Sequence, residues 1–159
     1  MNGRMHASRH SEQSGVGLIE VLVAVLILSI GVLGMAALQA TSLSTNNSAM
    51  MRSMSTIDSY SIIDAMRADL SNATAGNYNT GGTPLKANAC GTATAGDLVS
   101  AQKTAWCNQL GTDLGKTATT TGAIDCAATG ACTITVTFDD SRAGLGGSST
   151  QTLVTKGIL

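Results

Sequence analysis

The chain has 159 residues, 12% of them charged and 43% hydrophobic, with a net charge of -1. That length allows one domain plus an appendage, and the near-neutral balance offers no basic footprint, which argues against nucleic acid as a partner. Aromatics make up only 3% and are Tyr60, Tyr78, Trp106 and Phe138, so the core that Ala, Gly, Ser and Thr leave room for is thin.

Residues 1–15 are polar and carry Arg4, Arg9, His6 and His10. Residues 16–38, VGLIEVLVAVLILSIGVLGMAAL, then form an apolar run whose single charge is Glu20. As a helix the run is about 35 Å long, enough to span a hydrocarbon core of about 30 Å. Arginines precede it, and the next charge after Glu20 is Arg52. That asymmetry predicts a cytoplasmic N-terminus with the rest of the chain outside. An ordinary signal peptide has a shorter apolar region and a small-residue cleavage site. Met35-Ala36-Ala37 and Ala37 to Ala40 are weak sites of that kind. Neither a signal peptide nor a plain single-pass anchor explains Glu20, because a carboxylate inside an apolar helix is costly and marks a partner or a function.

At these residues the chain resembles the type IV prepilin family. Ser14-Gly15-Val16-Gly17-Leu18-Ile19-Glu20-Val21 is similar to the prepilin peptidase recognition motif. The resemblance implies cleavage between Gly15 and Val16, N-methylation of Val16, and Glu20 as the fifth residue of the mature chain. The family's first mature residue is usually Phe, where this chain has Val16. Cleavage creates a new amine at a helix N-terminus. The resemblance implies that, in a low-dielectric filament core, Glu20 of an incoming subunit would neutralise the amine of a neighbour and so set axial register. The simpler alternative is that Glu20 snorkels to the interface from near the helix end. The stretches Gln39 to Leu43, Asn46 to Ala49 and Ile62 to Ala68 resemble the minor pilins known as type IV pilus modification proteins, the PilV type. Ile134 to Asp140 fits them loosely. Major pilins often kink the first helix at a proline, but Pro84 is the only proline here, which favours a minor subunit.

Gly31 and Gly34 lie three apart within the run. They permit close helix packing or mark points where the helix loosens during assembly. From 39 to about 70 there is neither Pro nor Gly, and Leu43, Met50, Met54, Ile57, Ile62, Met66 and Leu70 recur near helical period. One helix is therefore expected from about 17 to 71, its second half amphipathic and packed on a small domain. Met50, Met51, Met54 and Met66 are expected as core filler, and Asp58, Asp64 and Asp69 as a solvated face.

Residues 72–83 have loop chemistry. Asp97 to Leu110 fits a short helix with Asp97 as N-cap. Leu98, Val99, Gln102, Ala105, Trp106 and Leu110 leave an apolar face for the core, with Trp106 the core anchor. Residues 111–131 read as largely irregular, with a possible strand partner in 117–126. Cys132 to Phe138 alternates strictly, as a strand with one buried face does. Asp139-Asp140 and the glycines at 144–147 form a turn, and 150–155 a return strand.

The four cysteines, Cys90, Cys107, Cys126 and Cys132, read as two disulfides in an oxidising compartment. Zinc would want closely paired thiols or histidines, and no Cys-x-x-Cys occurs. Four cysteines allow three connectivities; sequential pairing, Cys90–Cys107 and Cys126–Cys132, is chosen here because it staples two loops of a small-cored domain. No histidine lies beyond the leader, which removes Ser-His-Asp and Cys-His devices from the mature chain. No cofactor and no enzymatic activity are expected.

The expected fold is therefore α+β and pilin-like: a long N-terminal helix, membrane-spanning in its first half, packed on a small antiparallel β-sheet domain. The expected division is a leader (1–15), a transmembrane and filament-core helix (16–38), its amphipathic continuation (39–71), and a disulfide-stapled periplasmic or extracellular domain (72–159). The resemblance implies roles in pilus assembly or priming, adhesion or twitching motility. It implies as partners other major and minor pilins, prepilin peptidase, the inner-membrane assembly machinery and the lipid bilayer. The protein would sit in a bacterial inner membrane and then in the pilus. A type II secretion pseudopilin shares the same N-terminus, and a monomeric membrane-anchored adhesin is the reading from another class.

Overall fold

A computed structural model describes residue 15, residues 17–143 and residues 147–159. Helix α1 runs Leu18–Ala68, followed by a short helix α2, Leu70–Thr74. A two-residue strand β1, Leu85–Lys86, precedes helix α3, Leu98–Leu114. Strands β2 (Thr121–Cys126), β3 (Ala131–Phe138) and β4 (Gln151–Ile158) complete the chain. The fold is α+β: a long helix, apolar in its first half, with a small four-stranded antiparallel sheet in the order β1-β2-β3-β4.

The chain divides into two compact units, 1–40 and 41–159. In the first unit α1 is all side chain and no core. Leu18, Leu26 and Ile30 are 79%, 60% and 64% exposed. This segment has a mean hydropathy of 2.8 and is long and apolar enough to cross a membrane.

In the second unit the sheet buries one face. Ile124 and Cys126 of β2 alternate inward with Cys132, Ile134, Val136 and Phe138 of β3, as period-2 patterning requires. Ile62, Ile63 and Met66 of α1 and Trp106, Leu110 and Leu114 of α3 close over that face. Asp97 caps α3 by accepting from the Ser100 amide at 3.1 Å. The helix stops at Gly115, whose φ of +104° suits glycine. Gly122 has a packing reason. A Cβ there would lie 2.5 Å from the Trp106 ring and 2.6 Å from Leu110, so the bare backbone is what lets α3 settle on β2.

Cys90 is bonded to Cys107 and Cys126 to Cys132. The first bond ties the loop after β1 to α3. The second joins directly paired positions of the β2–β3 hairpin. A closed loop of 17 residues is worth about 3 kcal/mol in the chain-entropy account and one of 6 about 2.

Several expectations are corrected. Leu43, Met50, Ile57 and Leu70 of the expected packing face are exposed, as is Leu98 of α3. Of the methionines, Met66 is buried, and Met51 and Met54 pack against the core's edge. The covered stripe of α1 starts with small polar residues, Ser48, Ser55 and Ser59, and becomes apolar only at Ile62. Asp58 is not on a solvated face: it is 1% exposed. Asp140 is not a free turn residue either. It is buried, accepts from Ser48 Oγ at 2.6 Å and lies 3.6 Å from the Arg52 guanidinium. Together with a hydrogen bond from Ser44 Oγ to the Arg142 carbonyl, this ties the β3–β4 connection to α1. Gly144, Leu145 and Gly146 of the expected turn lie outside the described residues.

Candidate functional site

The residues singled out by the sequence occupy the start of α1. Gly15 is exposed and outside the helix. The Gly17 carbonyl accepts from the amides of Glu20 at 2.9 Å and Val21 at 3.3 Å, which begins the helical ladder. Glu20 therefore stands in the first turn, where the helix dipole favours a negative charge. It is exposed, like the leucines, isoleucines and valines that follow it through Leu38. Val16, the expected cleavage and methylation residue, and residues 1–14 lie outside the described residues.

Two details fit an apolar surrounding. Ser29 donates its hydroxyl to the Val25 carbonyl at 2.7 Å, so its polar group is satisfied within the helix. A Cβ at Gly31 or Gly34 would meet nothing within 4 Å. Nothing in this chain's own packing requires those glycines, and they leave a shallow face open on the helix.

Polar chemistry gathers in the second unit, where sequence reasoning gave it no role. Tyr78 is buried, and its hydroxyl donates to Asp69 Oδ2 at 3.1 Å and is also within hydrogen-bonding reach of Gln102 Oε1. Burial and then Asp69 push its pKa up to about 12. The Ser141 amide donates to Asp139 Oδ1 at 2.9 Å and holds that carboxyl below its ordinary range. Asp58 sits under Trp106, whose indole N–H donates to the Asp58 backbone carbonyl at 2.9 Å. Burial, and then the charge of Asp113, push the Asp58 carboxyl up to about 7. Only a helical register count that set Asp58 four before Ile62 could have hinted at this, and the neighbouring Asp64 hid the signal. Among the described residues no three His, Cys, Asp or Glu side chains gather where they could hold a metal ion.

Comparison with known proteins bears on the N-terminal segment. The family model of the prokaryotic N-terminal methylation motif matches residues 10–36. The segment thus carries a prepilin-like signal of the type IV pilin and pseudopilin kind, on an apolar helix of membrane-spanning length. Such a signal belongs to structural subunits that assemble with other pilins and meet a prepilin peptidase. No curated protein and no solved structure matches the chain.

Proposed function

We propose that the protein is a minor pilin, matured by prepilin peptidase between Gly15 and Val16, that joins or primes a type IV pilus. The supporting observation is the coincidence of the methylation motif at residues 10–36 with a stretch of α1, from Leu18 to Leu38, whose large apolar side chains are all exposed. A segment of that kind needs lipid first and neighbouring helices later. In this reading the chain is first a single-pass protein of the inner membrane, with its N-terminus cytoplasmic and residues 72–159 periplasmic. It then moves to the pilus. Val16 carries the N-methylated amine, and Glu20 pairs with a neighbour's amine to set register. The two disulfides hold the exported domain. Partners are the major and other minor pilins and the inner-membrane assembly machinery. Adhesion or twitching motility would follow from the filament. An α1 without proline suits a minor more than a bulk subunit.

The test is mass spectrometry of the N-terminus of the protein purified from its host membrane. A mature chain beginning at N-methylated Val16 is expected. An intact Met1, or a start between Ala37 and Thr41, would return the protein to the anchored or secreted class.

A further inference from the structure

Asp58 combines features that a folded chain does not keep without compensation. It is 1% exposed, and its Oδ2 has no hydrogen-bond partner; neither has Ser55 Oγ one turn earlier. Asp113 acts on it from α3, by its charge and by a side-chain hydrogen bond between the two carboxyls, and Asp113 is itself gripped by Gln109, whose Nε2 donates to Oδ2 at 2.6 Å. Among the described residues no ion pair reaches either carboxyl. Arg52 is engaged with Asp140 and Arg67 with Asp64, while Lys103 donates to the Asn79 carbonyl. Two acids therefore meet at the α1–α3 contact with no counter-charge from their own chain, an arrangement that burial makes costly.

A groove of about 280 Å³ runs along this contact. Its walls are Ile57, Ile62, Ala65 and the Trp106 ring, with the amides of Gln102 and Gln109 at its side and Asp58 as its acid. Aliphatic walls suit a methylene stem. An indole face and a carboxylate suit the cation at the end of one. Ile57 on its wall is 59% exposed, and Leu43, Met50 and Ile57 recur every seven residues as an uncovered stripe. An apolar stripe of this kind is covered by protein rather than by water.

We propose that the α1–α3 groove receives a lysine or arginine side chain from a neighbouring pilin-like subunit, with Asp58 as its counter-charge. The proposal rests on the filament reading above. The pairing is distinct from that of Glu20: it lies in the exported unit and fixes one subunit's globular part laterally against the next. The sign of its pH dependence follows from the acids. The carboxyl's ordinary value is 3.8 and its folded value about 7. Without a cation the folded chain holds a proton that the unfolded chain releases. Stability is therefore greatest below 3.8 and declines as pH rises to about 7. A cation needs the ionised form, so its binding strengthens as pH rises through about 7.

The experiment uses the full chain in detergent micelles and reads the emission of Trp106, the only tryptophan. n-Butylammonium chloride is titrated near pH 8, with n-butanol as the uncharged control. A saturable emission change is expected with the amine and not with the alcohol. It should weaken about tenfold near pH 6, where a group titrating near 7 is about one-tenth ionised. Asp58→Asn, verified as folded by circular dichroism, should abolish it. A flat titration near pH 8, an equal response to butanol, or an unchanged response in Asp58→Asn overturns the site. If the titration is flat, yet acid raises the melting temperature of the parent chain and not that of Asp58→Asn, the two carboxyls merely share a proton and the cation site falls. Failure of the filament reading itself is seen separately, at the N-terminus of the mature chain.

Discussion

The first half of α1 and the interior of the sheet unit are made of the same residue types and treat them in opposite ways. Leu18, Ile27 and Leu33 are 79%, 63% and 70% exposed, whereas Ile63, Ile134 and Val136 are at 0%. At roughly 25 cal/mol per Å² of apolar surface, leaving the first set in water is costly. The difference teaches where the covering atoms come from. The sheet unit supplies its own: α3 and the end of α1 close over β2 and β3. The first half of α1 must find its covering in lipid or in other chains. Substitutions in the two regions should therefore report on different events, folding for one and assembly for the other.

Trp106→Ala should give the largest folding effect. The ring is wedged between the Asp58 carbonyl and the backbone of Gly122. Its loss leaves a cavity between two helices and the sheet, and a destabilisation of about 3–5 kcal/mol is expected in chemical denaturation followed by circular dichroism. Leu26→Ala, a comparable truncation on the exposed stretch, should leave that transition where it was. Equal losses from the two changes would erase the distinction between the regions.

The distinction was partly legible beforehand. The apolar run with its lone Glu20, the alternation from Cys132 to Phe138, and Asp97 before an apolar helix each carry a local rule that tertiary packing had no reason to override. The α1 face was harder to assign. Leu43, Met50 and Ile57 and the set Ile62, Met66 both satisfy helical spacing, so periodicity alone does not say which stripe meets the sheet. The buried acids were invisible for a related reason. Asp58 lies close to Asp64 in sequence, and only the placement of α3 separates a covered carboxylate from an exposed one. β1 is two residues long and is defined by its pairing with Thr121 and Gly122, a contact that no pattern within two residues can announce.

Removing the longer-looped disulfide should rank next. The pair Cys90→Ser and Cys107→Ser should cost about 3 kcal/mol, and Cys126→Ser with Cys132→Ser about 2, because closing 17 residues constrains the unfolded chain more than closing 6. The comparison is between midpoints of denaturation of the two double variants. If the hairpin bond mattered more, stabilisation would lie in the folded sheet and not in the unfolded chain.

Glu20→Ala should have the smallest effect on folding and the sharpest effect on assembly. The carboxylate is exposed in the first turn of α1, and the second compact unit begins only at Thr41. The melting of the sheet unit should accordingly be unchanged, and insertion in the membrane should persist, since replacing a charge by alanine makes the run more apolar. In the proposed filament, the variant would lose the one charge in residues 16–38, the group proposed to meet a neighbour's terminal amine. Its fraction in sheared filaments, relative to its fraction in membranes, should therefore drop severalfold while cleavage after Gly15 continues. Normal incorporation would reduce Glu20 to a side chain that reaches the interface, and the register of the filament would have to come from elsewhere along α1.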